Sequence, residues 1–457
     1  MDKMKQIAAS AVNPSINRLD YYSNNSENTC SILLKIEPSH ADICLATAII
    51  PAQMIDALYD ETARILQNKI SAPGFSKDAI PVAYIQENFE KTITEHLKEF
   101  LFKYTVSNTL FKNMRLKKAP ITGEPRLITI DLTPHHDAHF SFECTVLPKI
   151  DIKEWKYLPF KSPRRKNYKD LDRQVASFVM QEQEKLKEPK NTGIAINDWV
   201  LFTIAIINQQ SHPLLNDQIE QFWFKISDEE VDNPLKTLLL NKEIGTKIEV
   251  TNKGLQDYFC DQLDVHYLYR IEITDILSHA DCSLELFKRH FRIKNNKEMN
   301  KKLIEVFSYR NDISQRRAMV EETLQLLIIK NPFTVPNHTI LREQERVLES
   351  VKDNPDYNVY RMQKDFQQKI RQLAEKNVQE KLFIDQLAYH ENISISDQDV
   401  KNYLSLTLRP RTKEFIYFKQ DEPIIEGQAV PIPAEELNRT CLREKTINYA
   451  IHHLTKK

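Results

Sequence analysis

The chain has 457 residues, 41% of them hydrophobic and 28% charged, with 63 Lys plus Arg against 64 Asp plus Glu and a formal net charge of −1. Such a length fits two to four domains. The balanced charge excludes a global field that would draw the chain onto nucleic acid, so any RNA contact has to be local. The six cysteines (Cys30, Cys44, Cys144, Cys260, Cys282 and Cys441) are scattered without a C-x-x-C pair and read as reduced thiols. No apolar segment reaches membrane-spanning length and Met1–Asn28 has no apolar signal core, so a cytoplasmic location is expected.

In chain order, residues 1–28 read as a polar, flexible tail. Residues 29–150 read as a compact α+β unit. Ser31–Ile36 and Ile43–Ile50 form its first strands, and Pro51 stands at the first position of a helix carrying Met54, Leu58, Ile65 and Leu66. Ile85, Phe89, Ile93 and Leu97 recur every four residues and continue into Phe100 and Tyr104, a helical stripe. Two strands with period-two alternation follow. Ile128, Ile130, Leu132, Phe140, Phe142, Cys144 and Val146 point inward, while Thr129, Asp131, Ser141 and Glu143 face water.

Residues 151–190 form a linker, extended and aromatic at Trp155, Tyr157 and Phe160, then a charged helix over about 168–187. Residues 191–280 are strand-rich, with Trp199–Ile207 and Leu268–Ile273 the best strands. Residues 281–457 are helical. One pattern begins at Met299, Leu303, Val306 and Phe307 and ends at Leu324–Ile329, and Asn331-Pro332-Phe333-Thr334-Val335-Pro336 interrupts it. Another starts at Met362, Phe366, Ile370 and Leu373, and Ser396-Asp397-Gln398-Asp399 is a capping box for the next helix.

The chain has only six glycines, where a usual content of about 7% would give about thirty. Glycine is therefore expected mainly where the backbone needs positive φ or close approach. One of the six opens Pro73-Gly74-Phe75-Ser76-Lys77-Asp78-Ala79-Ile80-Pro81, a loop between two amphipathic helices with an aromatic and a cation at its tip. The spacing Gly-Phe-x-Lys-x-x-x-Pro resembles the ribosome-docking signature of the trigger factor family of bacterial chaperones. The order ββ-α-loop-α-ββ resembles that family's ribosome-binding domain. The 191–280 region resembles its FKBP-type prolyl isomerase domain, and Asn-Pro-Phe-x-Val-Pro with the helices after it resembles its C-terminal chaperone domain. The run Phe224–Glu230 is similar to chlamydia-like members.

The resemblance implies an α+β multidomain protein that binds the ribosome near the exit tunnel together with nascent or unfolded polypeptides. It implies no cofactor, membrane or DNA, and it allows a homodimer. The docking residues it implies are Gly74, Phe75, Ser76 and Lys77. Ser76 and Ala79 stand where the family carries cations, and Asp78 offsets Lys77, so each missing positive charge removes phosphate affinity.

The activity implied for residues 191–280 is peptidyl-prolyl cis–trans isomerisation in an aromatic pocket. Here Asp198-Trp199-Val200-Leu201-Phe202-Thr203-Ile204 stands for Asp-x-Val-x-Ile-Asp-Phe, so Thr203 and Ile204 replace the pocket acid and phenylalanine. Asp232-Asn233-Pro234-Leu235-Lys236 stands for Ile-Pro-Gly-Phe-Glu, placing Leu235 at a pocket aromatic, and Tyr269 offers a substitute ring. The pocket reads as degenerate. An active isomerase and a ribosome-independent holdase both stay open as alternatives. His135-His136-Asp137-Ala138-His139 is the single metal-like cluster in the sequence and reads as a solvated turn.

Overall fold

The computed structural model describes residues 32–456 except 41–42, 77–78, 117–120, 147–149, 164–169, 186–192, 216–218, 229–232, 261–262, 280–283, 311–312, 353, 421–423 and 426–427. The tail expected over residues 1–28 lies outside the described residues.

Strands Leu33–His40 (β1) and Ile43–Ile50 (β2) lead into helix Ala52–Gln67 (α1). Pro51 is that helix's N-cap, with ψ 142°, rather than its first helical residue. The predicted stripe is real but broken: Val82–Asn88 (α2) and Glu90–Leu101 (α3) meet at Phe89, whose φ of −116° leaves the helical region. A π-helical turn, Phe102–Val106, then feeds Ser107–Leu116 (α4). Ile121–Asp131 (β3) and Ala138–Val146 (β4) complete an antiparallel sheet of order β1-β2-β4-β3. In its register Cys44, Ala46 and Ala48 face Cys144, Phe142 and Phe140, all buried against α1 and α3. Ile128 departs from the predicted alternation. The register slips between Leu127 and Thr129, and the extra residue turns Ile128 outward, 48% exposed.

After helix Leu171–Lys185 (α5) comes a second antiparallel sheet. It is built from Trp199–Ile207 (β5), Glu220–Lys225 (β6), Lys247–Thr251 (β7) and Leu268–Leu277 (β8). Helices Pro234–Leu239 (α6) and Lys253–Phe259 (α7) lie between its strands, each N-capped by an asparagine, Asn233 and Asn252. Val200, Phe202, Ile204 and Ile206 alternate along one buried face of β5. That face does not close on itself. Its residues belong to one continuous hydrophobic cluster with the core of the first sheet and helices α1 and α3.

The C-terminal part is helical: Leu284–Phe291 (α8), Asn296–Phe307 (α9), Gln315–Lys330 (α10), Asn337–Lys352 (α11), Phe366–His390 (α12), Asp397–Thr407 (α13) and, at the end, a long helix. The single pattern expected from Met299 to Ile329 is two helices. A tight ribbon, Tyr309–Arg310 against Ile313–Ser314, divides them, and Ser314 caps α10. Helices α11 and α12 form a hairpin around Val335, Ile340, Val347, Phe366, Ile370, Ala374, Val378 and Leu382. The i+4 row from Phe366 is thus the buried one, whereas Leu373 and Met362 are 43% and 79% exposed. The Ser396–Asp399 capping box forms as expected. The short strand Ile432–Pro433 (β9) adds to β6, giving the order β9-β6-β5-β8-β7, and Ala434–Thr455 (α14) follows it. The 151–160 linker is no free connector, because Trp155 is 1% exposed and packs with α10, α12 and α14.

Candidate docking loop and mid-chain pocket

The glycine loop follows α1 directly. Gly74 adopts φ +89°, the left-handed region that its sequence position suggested. Turn bonds run from Phe75 N–H to the Ala72 carbonyl and from Ala79 N–H to the Ser76 carbonyl. The Gln67 side-chain amide donates to the Ile80 carbonyl at 2.5 Å and ties the loop back to the helix. Pro81 then N-caps α2. Gly74, Phe75 and Ser76 are exposed. The Phe75 ring leans on Tyr84 with centroids 5.0 Å apart, which orients the aromatic without hiding it. Lys77 lies outside the described residues. In the turn before β4, His135 adopts φ 64°, and its backbone N–H and ring both meet Asp56.

The mid-chain positions are less accessible. Ile204, Leu235 and Tyr269 all enter the shared hydrophobic cluster at 0%, 3% and 0% exposure. Thr203 does not join them. As Ile204's neighbour on the strand it points to the opposite face, where its hydroxyl donates to the Glu272 carbonyl at 3.4 Å. Tyr269 donates its hydroxyl to the Gln256 side-chain oxygen at 2.8 Å, and burial holds its pKa well above the ordinary phenol value. The sheet face that carries Ile204 and Tyr269 is covered by side chains of the same chain.

Phe259 of α7 is one of them, and beside it stand Phe100 of α3 and Tyr104 of the π turn, a pairing that sequence reasoning missed. The Tyr104 hydroxyl donates to the Ile204 carbonyl at 3.0 Å, and its ring meets Phe259 at 5.1 Å. Phe100 packs on Tyr267 at 4.8 Å and on Phe259 at 5.7 Å. The stripe announced that Phe100 and Tyr104 were buried; nothing local announced against what.

Among the larger apolar groups of the helical part, Phe307, Met319 and Phe383 are core, whereas Tyr360 and Met362 are exposed. Val359 and Leu341 are exposed on the same hairpin, at 64% and 45%. Elsewhere in the helical part a cleft of about 620 Å³ is lined by Tyr309, Arg317, Lys381, Phe415, Tyr417 and Lys419 among others. Its walls come from segments far apart in sequence, so no motif marks it. Among the described residues no helix is long and apolar enough to cross a membrane.

Residues 35–177 match the family model of the bacterial trigger factor protein, and residues 297–414 match that of its C-terminus. The trigger factor of Rickettsia prowazekii (strain Madrid E) is 20% identical over 416 residues, covering 88% of this chain and 89% of the relative. That of Rickettsia canadensis (strain McKiel) is 20% identical over 427 residues, covering 91% of each. A Thermotoga maritima trigger factor is 20% identical over 360 residues, 77% of this chain and 79% of its own. A solved trigger factor chaperone chain covers 92% of this chain and 100% of its own length, with 17% identity and a TM-score of 0.37.

Proposed function

Since this chain belongs to the bacterial trigger factor family, we propose that it is a folding chaperone that holds nascent or unfolded polypeptides near the ribosomal exit tunnel, with a mid-chain isomerase unit that has lost its catalytic pocket. The observation carrying the second half is that Ile204, Leu235 and Tyr269 are buried in one cluster with Phe100 and Tyr104, with the Tyr104 hydroxyl bonded to the Ile204 carbonyl. Isomerisation has to cross about 20 kcal/mol, and a site lowers that only by enclosing the twisted imide. A face already occupied by two rings of the same chain offers a proline segment nowhere to bind. Holding a client needs no such pocket. Dispersed exposed apolar side chains with polar neighbours suffice, and the α11–α12 hairpin presents Leu341, Val359, Tyr360, Met362 and Leu373 in that way.

The test is a pair of assays on one preparation. Aggregation of an unfolded client should be suppressed at near-stoichiometric ratios, while a proline-limited refolding reaction is barely accelerated. A family-typical isomerase rate restores the enzyme reading; failure to suppress aggregation removes the chaperone reading. Ser76 and Ala79, standing in place of cations at the loop, favour a second reading as a holdase that works off the ribosome. Co-sedimentation with ribosomes at low and high salt separates the two, because docking through phosphate contacts weakens steeply with salt.

A further inference from the structure

We propose that the segment from Leu97 to Asn108 is a cover, docked in cis on the aromatic face of the mid-chain sheet, so that the N-terminal unit itself blocks the surface a peptide would use. The proposal rests on reading that sheet as the family's isomerase unit.

Three observations carry it. First, aromatic packing runs unbroken across the junction. Phe100 stacks on Tyr104 at 5.5 Å, both meet Phe259, and Phe259 meets Tyr269 at 6.3 Å. Second, polar contacts pin the junction at both ends. At one, Thr62 and Tyr267 share a hydroxyl–hydroxyl bond of 2.6 Å, and His96 lies between the Tyr267 hydroxyl at 3.2 Å and the Cys260 sulfur at 3.3 Å. At the other, Thr105 and Asn108 donate to the Glu220 carboxylate at 2.6 and 2.9 Å. Third, the π turn lies at the centre of the cover. Its wider winding brings Tyr104 onto the β5 carbonyl and Thr105 onto Glu220 from adjacent positions. Single π turns inside helices are rare and recur at functional sites.

The cover carries a standing electrostatic cost. Glu220 keeps some surface open but is enclosed enough that burial pushes its carboxyl up to about 7, against pulls from Thr105, Asn108 and Lys112. The buried His96 is lowered to about 4 by burial, with Glu99 acting the other way. Closure is therefore opposed by Glu220 ionising as pH rises from about 4.5 to 7, and by His96 protonating as pH falls from about 6.5 to 4. The two slopes have opposite sign and largely cancel, so closure changes by only about threefold between pH 5 and 8. Removing one of them unmasks the other. Glu220→Gln keeps an acceptor for Thr105, removes the carboxylate cost, and should tighten closure at pH 7.5 by at least roughly tenfold once solvent screening is allowed for.

Hydrogen exchange of segment 97–108 in the full chain tests this, together with anisotropy of a fluorescein-labelled Ala-Leu-Pro-Phe peptide. Wild type should exchange this segment with protection that differs by no more than about threefold between pH 6 and 8, after correction for intrinsic rates. Glu220→Gln should slow it about tenfold at pH 7.5, and Tyr104→Ala should speed it and raise peptide affinity at least tenfold. Unchanged exchange in Glu220→Gln overturns the proposal, as does faster exchange in Tyr104→Ala without a gain in peptide binding. If Tyr104→Ala does not fold, the Glu220→Gln result decides alone. Client aggregation followed on the same samples reports on the chaperone reading separately, since that activity does not require the cover to open.

Discussion

Arg316 and Glu444 face each other at 3.2 Å in the C-terminal core, each side chain 1% exposed. The guanidinium also donates to the Phe415 carbonyl and to Asn448, and lies 5.8 Å from the centroid of the Phe291 ring. The carboxylate accepts the backbone N–H groups of Tyr417 and Phe418, both at 3.0 Å. One ion pair thereby ties α10 and α14 to the 415–418 segment that walls the cleft.

Breaking such a pair from one side leaves a buried charge without compensation. Arg316→Met should cost about 3–5 kcal/mol. Glu444→Gln, whose amide oxygen still accepts one or both N–H groups, should cost less. Urea midpoints compare them, and a Glu444→Gln midpoint indistinguishable from that of wild type would show that the ion pair itself matters little.

Glu391 should give the helical part an acid-sensitive fastening. Burial pushes its carboxyl up, but hydrogen bonds from Lys156, Trp155, Tyr449 and His390 outweigh this and lower it to about 2. A depressed carboxylate contributes stability that is present above its ordinary value near 4.5 and is lost as pH falls toward 2. Glu391→Gln should therefore cost on the order of 2 kcal/mol at pH 6 and almost nothing at pH 2. Thermal melts across that range check it; a gap independent of pH assigns the effect to packing.

At the loop, Phe75→Ala should weaken ribosome co-sedimentation with little change in salt dependence, because it removes contact area. Lys77→Glu should weaken it and also flatten the salt slope, by about one for the lost cation and further for the added anion. Identical sedimentation of wild type and both variants would show that docking, if present, uses another surface.

Gly74→Ala separates shape from contact. At φ +89° an added Cβ meets no atom within 4 Å, so its cost is backbone strain alone, about 1–2 kcal/mol. The loss should appear in stability and, through a displaced Phe75, in ribosome binding. An Ala variant as stable as wild type would mean that the loop relaxes to negative φ.

Local chemistry was legible in the sequence and distant pairing was not. The Gly74 turn, the Ser396–Asp399 box, the strands on either side of Cys44 and Cys144, and the Ile93–Leu97 stripe each depend on residues a few positions apart. Ile128 went astray because a bulge leaves no mark on hydrophobic alternation, and Leu373 because two adjacent rows on a helix look alike until a partner selects one. Trp155 looked like linker because the Glu391 that receives its indole N–H, at 3.1 Å, stands in another segment. The departures from the resembled family pattern at Ile204 and Leu235 were visible in the sequence. That Tyr104 packs beside Ile204 depends on a contact a hundred residues long, which no motif encodes.

The two-residue strand β9 has a consequence for how the molecule is made. Ile432 and Pro433 pair with Trp223 and Phe222, so β6 gains its outer neighbour only when the ribosome has added roughly two hundred further residues. At typical synthesis rates that is about 10–40 s. Through that interval Glu220–Lys225 is a bare sheet edge with Phe222, Trp223 and Phe224 along it, the kind of edge that templates aggregation. While it is being translated, this chain is itself in need of the protection that a nascent polypeptide receives.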